Sequence, residues 1–175
     1  MNNLAKRVAG LHIQAKSYNR VVYSPRPFSS FRNVRQQNGR KPKGLWYECN
    51  KEWKQLIQSY FRSEVREYKH KYLLEVNLNR MCVIRTEKEL LDFQSKYGVE
   101  MSWGTGIKWE DVAKDYDGIE ICPYQSDQRT LDWYYIWDVA SGCVWGSSAF
   151  KSISEVDNDI SDEEYFIEYP WEEED

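Results

Sequence analysis

The chain has 175 residues, 41% hydrophobic and 30% charged, which is the size and balance of one soluble globular domain. No stretch approaches the roughly 18 apolar residues of a spanning helix. The N-terminal MNNLAKRVAGLHIQAK lacks the apolar centre of a secretory signal. A membrane-embedded protein is therefore excluded at this level, and a cytoplasmic one is expected. The formal net charge of −4 hides an asymmetry: residues 1–80 hold 17 Lys/Arg against 5 Asp/Glu (+12), and residues 81–175 hold 7 against 23 (−16). A basic first half is the footprint of a protein that meets phosphates.

In chain order, residues 1–19 read as a basic N-terminal arm. Val21–Tyr23 reads as a short strand stopped by Pro25 and Pro27, since proline cannot donate to a ladder. Ser29–Lys43 is an exposed basic loop. Gly44–Cys49 is a second strand, and Asn50 is the expected N-cap of a helix over 51–61, with Trp53, Leu56, Ile57 and Tyr60 on one face. Two strands, Lys71–Leu78 and Arg80–Arg85, should meet in a turn near Asn79. Thr86 and Glu89 form a capping box for the helix 87–97, which Gly98 ends.

Trp103–Gly106 reads as a turn, 107–116 as a short helix, and the segment after the turn at Asp117–Gly118 as a strand. The aromatic run 133–146 reads as one or two further strands. From Ser152 onward there is no basic residue, and residues 155–175 carry 11 Asp/Glu, so 152–175 is expected to be a loose acidic tail. The order argues for one α+β domain over 20–151 with a mixed or largely antiparallel sheet.

Chemistry-bearing motifs are few. Only His12 and His70 are present, both in charged surroundings that suit surface histidines. There is no HExxH, CxxC, GxSxG, GxGxxG or GxxxxGK[ST]. Cys49, Cys82, Cys122 and Cys143, at intervals of 33, 40 and 21 residues, read as buried or half-buried thiols. The 27 aromatic rings are the unusual feature; most belong in a core, but rings also line pockets for planar ligands.

Four clusters stand out. Tyr23, Ser24 and Arg26 lie where a strand opens into a loop, the usual place for binding groups, although a strand end before a proline turn needs no function. Lys41, Lys43, Gly44, Leu45, Trp46 and Tyr47 combine positive charge with two rings on opposite faces of a strand, so one ring is free to stack on a planar ligand. In the segment 115–121, Ile119 and Ile121 face one side and Glu120 the other, either solvated or beside a ribose. Asp138 sits among Trp133, Tyr134, Tyr135 and Trp137 and needs a partner if buried.

Taken together, Tyr23-Ser24 at a strand end, Gly44-Leu45-Trp46-Tyr47 opening the next strand, the helix after it and the late Asp117-Gly118-Ile119-Glu120 resemble the ADP-ribosyltransferase superfamily over about residues 20–150. KPxGLW, YDGIE and WDVASG also look like its small phage and prophage members, some of them toxins. The resemblance implies a split-sheet fold and NAD as substrate without a metal. It further implies that Tyr23, Ser24, Arg26, Lys43, Gly44, Leu45, Trp46 and Tyr47 hold NAD and that Glu120 is the catalytic carboxylate.

The sequence departs from the family pattern where Tyr23 stands in place of arginine or histidine and where Gly118 stands two positions before Glu120. The second departure argues against arginine as acceptor. Excess positive charge on Arg32, Arg35, Arg40 and Lys41 favours RNA or DNA, with an antitoxin or other protein as a further partner. The alternatives are a non-catalytic nucleic-acid-binding regulator and an acidic nucleic-acid mimic of phage origin.

Overall fold

The computed structural model describes residues 18–49, 51–60 and 67–158. They form a mixed α+β unit of nine strands and three helices. The strands are β1 (Arg20–Ser24), β2 (Leu45–Cys49), β3 (His70–Val76), β4 (Met81–Ile84), β5 (Gly98–Met101), β6 (Gly104–Ile107), β7 (Gly118–Ile121), β8 (Ser141–Val144) and β9 (Phe150–Val156). The helices are α1 (Glu52–Tyr60), α2 (Glu87–Tyr97) and α3 (Trp109–Asp115).

Seven strands make one sheet in the order β4-β7-β8-β2-β1-β3-β9; β5 and β6 form a separate hairpin. Only β4 and β7 pair in parallel; the other five contacts are antiparallel. Alternation along the strands divides the apolar residues into two cores. On one face Ile84, Ile119, Ile121 and Cys143 pack under α2 and α3 through Leu90, Phe93, Trp109 and Val112. On the other, Val22, Tyr47, Tyr72, Leu74, Met81 and Val144 pack together. Because β7 lies inside the sheet with a core on each side, all four of its residues are buried.

Local signals explain much of this. Thr86 Oγ1 accepts from Glu89 N–H while the Glu89 carboxylate accepts from Thr86 N–H, so the capping box starts α2 at the expected residue. Leu90, Phe93 and Tyr97, at helical spacing, are its buried face. Asn77 and the 3₁₀ turn Leu78–Arg80 join β3 to β4.

Other expectations are corrected. The run 131–137 is not a strand: Tyr135 N–H bonds to the Leu131 carbonyl and Trp137 N–H to that of Tyr134, a helical turn that buries Trp133, Tyr134 and Trp137 together. Only Ser141–Val144 of that segment is extended. The expected turn at 103–106 is mostly β6, the turn itself lying at Ser102–Trp103, and the helix begins at Trp109 because Ile107 pairs with Gly98. Tyr60 does not share the buried face of α1, being 66% exposed.

The acidic segment is structured at its start, since β9 pairs with β3 from Phe150 to Val156. Cys49 and Cys122 are not thiols but a disulfide, because the ends of β2 and β7 converge beyond the start of β8; Cys82 and Cys143 are free. His70 Nδ1 lies 2.7 Å from the Glu155 carboxylate across β3 and β9. His12, most of the basic arm, Asn50 and residues 159–175 of the tail lie outside the described residues.

Candidate functional site: an aromatic pocket and a buried ion cluster

Pairing fixes which side chains share a face. Val21 lies opposite Glu48, Glu48 opposite Ser141, and Trp46 opposite Cys143, so Val21, Tyr23, Trp46, Glu48 and Ser141 project to one side. Arg20, Tyr47, Cys49 and Gly142, with Glu120 opposite Gly142, project to the other. The expectation that Trp46 and Tyr47 point apart holds, and each has a distinct environment.

The first face carries a cavity of about 470 Å³ between the sheet, α1 and the loop 137–139. Tyr23 and Trp46 line it, joined by Trp53, Tyr68 and Trp137. Tyr23 stacks on Trp53 at 5.2 Å, Trp53 meets Tyr68 edge-on at 4.7 Å, and Trp46 meets Trp137 edge-on at 4.9 Å. The indole N–H of Trp137 is buried and has no acceptor among the described residues.

Charges border these rings. The Lys41 ammonium sits over Trp46, 5.2 Å from the ring centre. Surrounding protein pushes its pKa below the ordinary lysine value, the nearby Asp138 carboxylate acting against that. Asp138 is exposed at the rim, whereas Glu48 is buried in the wall and accepts the Lys54 N–H at 2.9 Å, satisfying one of the open donors of the first turn of α1. Glu52 accepts the Ala140 N–H, tying α1 to the loop that carries Asp138. The cavity is thus framed by the sheet, α1 and the loop 137–139.

The second face carries Glu120. Its carboxylate takes Arg20 through both oxygens (Nε–Oε2 2.5 Å, Nη2–Oε1 3.1 Å), Arg85 at 2.5 Å and the Tyr47 hydroxyl at 2.6 Å. Burial pushes the Glu120 carboxyl up, but the hydrogen bonds from Arg20 and Tyr47, the Arg20 charge and the Arg85 bond outweigh it, leaving it below the usual carboxylate range. Burial and the adjacent carboxylate push the Tyr47 phenol well up, so it stays a donor. Tyr47 reaches Glu120 across the intervening strand because Gly142 has no side chain: a Cβ there would lie 2.2 Å from the tyrosine ring.

The expected NAD-binding residues are therefore divided. Tyr23, Trp46 and the neighbouring Lys41 share the cavity. Tyr47 also borders the cavity, but its hydroxyl meets Glu120 on the opposite face, where Glu120 is a locked partner of two arginines and does not line the cavity. Ser24 closes a turn onto Arg26, and Arg26 is exposed beyond it. Lys43 N–H bonds to Gln36, Leu45 packs against the second core, and Gly44 passes so near β8 that a Cβ would lie 2.3 Å from the Val144 carbonyl oxygen. Arg32, Arg35, Arg40 and Lys41 are exposed along one loop, as expected.

Arg20 and Arg85 were not singled out by sequence, and no short-range pattern marks them, for they lie 100 and 35 residues from Glu120. Trp53 carried a signal, its place on the apolar face of α1. The one grouping of metal-ligating side chains among the described residues is Cys49, Glu120 and Cys122. With the two sulfurs bonded to each other and the carboxylate held by three donors, it offers no open ligand set. No helix of the described residues is long and apolar enough to cross a membrane. Compared with known protein families, with curated proteins and with solved structures, the chain gives no match.

Proposed function

We propose that the protein is an NAD-dependent ADP-ribosyltransferase whose NAD lies in the aromatic pocket. The observation that carries this reading is the meeting of Tyr23 and Trp46 in one cavity: they come from the two strands where the resemblance places contacts to nicotinamide and its ribose. A cavity of about 470 Å³ has room for the nicotinamide nucleoside half of the molecule. Trp46 and Trp53 provide stacking faces, and Lys41 leads from the rings to the basic loop, where the pyrophosphate finds positive charge.

Cleavage moves the electron pair of the ribose C1′–nitrogen bond onto the nicotinamide nitrogen, which leaves neutral, and positive charge builds on the ribose. An acceptor atom then attacks C1′ and gives up its proton. A carboxylate beside the ribose stabilises that charge. Asp138, exposed at the rim, takes this role in place of Glu120, whose charge is spent on Arg20 and Arg85 on the other face. The acceptor is a macromolecule, with RNA or DNA favoured by the exposed Arg32, Arg35, Arg40 and Lys41.

The test is nicotinamide release from NAD, with and without RNA or DNA, by wild type, Asp138→Asn and Trp46→Ala. Asp138→Asn should lower turnover about a hundredfold, the size of one main electrostatic stabiliser. Full turnover by that variant removes Asp138 from the mechanism; no nicotinamide release and no NAD binding by the wild type refutes the reading.

A further inference from the structure

The basic loop is built more firmly than an ordinary connection. The buried Gln36 side chain bonds to the Val34 and Lys43 carbonyls and to the Lys43 N–H, closing residues 36–43 into a compact turn. Gly39 then pairs with Ile107 through both backbone groups, at 3.0 and 2.9 Å, and its carbonyl also accepts the Trp109 indole N–H. The loop is sewn to β6 through the residue just before Arg40. That attachment sets the Arg40 guanidinium 4.3 Å from the centre of the Trp103 ring, at the tip of the β5–β6 hairpin.

Trp103 is 36% exposed, on a chain that buries Trp109, Trp133 and Trp137 almost completely. Two carboxylates at the hairpin are engaged with Thr105: Asp132 accepts its N–H at 2.8 Å and Glu100 its hydroxyl at 3.3 Å. Arg32, Arg35 and Lys43 are exposed along the same loop, and Lys41, the residue after Arg40, lines the aromatic pocket.

An exposed ring paired with arginine, flanked by further cations on a pre-organised backbone, is the chemistry that holds an unpaired base and its phosphates. A duplex hides its base faces and offers the ring nothing to stack on.

We propose that Arg40 and Trp103 form a platform for one unpaired base of single-stranded nucleic acid, with Arg32, Arg35 and Arg40 on the adjoining phosphates. Its place beside Lys41 makes this strand the acceptor of the ADP-ribosyl group; that last step rests on the function proposed above, while binding of the strand does not.

The experiment is fluorescence anisotropy of the full chain, without NAD, against labelled 12-nucleotide RNA and DNA single strands and the matching duplexes, across a salt series. Trp103→Ala should weaken single-strand binding by about five- to a hundredfold with the salt slope unchanged. Trp103→Phe, which keeps a ring, should stay within about threefold of wild type. Arg40→Gln should reduce the log–log salt slope by roughly 0.7, one phosphate on a single strand.

Equal binding by Trp103→Ala and wild type, duplex bound as tightly as single strand, or displacement by polyglutamate as readily as by an unlabelled strand would each overturn the proposal. NAD titrated into the wild type in parallel separates the two readings. Ring-dependent strand binding without NAD binding removes the enzymatic function alone, and NAD binding without strand binding removes the platform alone.

Discussion

Glu120→Gln removes a charge from the best-defined electrostatic feature of the molecule while nearly preserving its shape. In the wild type two guanidiniums converge on one buried carboxylate. The amide keeps one acceptor for Tyr47 or Arg20, but its NH₂ must face a guanidinium, and both arginines lose their counter-charge. Breaking a fully buried pair from one side costs about 3–5 kcal/mol. The side chains of Arg20 and Arg85 are 15% and 29% exposed, so water recovers part of the loss and the lower end, about 3 kcal/mol, applies.

For a chain of this length that corresponds to a Tm lower by about 6–12 °C. The loss has a pH signature. The folded-state pKa of Glu120 lies below its unfolded value, so its contribution is complete above the unfolded pKa of about 4.3 and disappears as pH falls through the folded value. Urea unfolding of wild type and variant from pH 3 to 8 should show a constant gap from pH 6 to 8 that narrows below about pH 4.3. A variant as stable as wild type at pH 7, or a gap that widens in acid, would refute the assignment of Glu120 as an ionised structural partner.

Gly142→Ala should destabilise by about 1–3 kcal/mol, because the new methyl must displace Tyr47 from Glu120; a urea midpoint equal to wild type would show that the crossing is loose. Thr86→Ala should cost about 1 kcal/mol in the same assay by opening the capping box of α2, with Thr86→Ser restoring most of it. The Cys49→Ser, Cys122→Ser pair should lose up to about 4 kcal/mol, the loop-closure value for cysteines 73 residues apart, and added reductant should then leave the variant's stability unchanged.

How far sequence reaches depends on the distance over which a residue's surroundings are set. Thr86 and Glu89 cap a helix within four residues, and the opposite aims of Trp46 and Tyr47 follow from strand alternation, so both were legible. The same alternation separated Glu120 from Ile119 and Ile121 correctly, but not what lies on its side: Arg20, Tyr47 and Arg85 arrive from 100, 73 and 35 residues away, and only the strand order brings them together. The Cys49–Cys122 bond escaped notice for the same reason. The rings of 131–137 misled in the other direction: aromatic residues favour strands on average, but here a helical turn buries three of them at once. Asp138 was expected to need a partner only if buried; it lies exposed at the pocket rim, since the turn before it places it outside the core.

Isothermal titration of NAD into wild type, Trp46→Ala and Glu120→Gln, below their unfolding temperatures, decides whether the pocket of Tyr23, Trp46 and Trp53 holds NAD as we propose. Saturable binding by the wild type, weakened in Trp46→Ala by roughly 1–3 kcal/mol and kept in Glu120→Gln, is the predicted result. Binding that survives Trp46→Ala but is lost in Glu120→Gln would place NAD on the opposite face of the sheet and contradict the account.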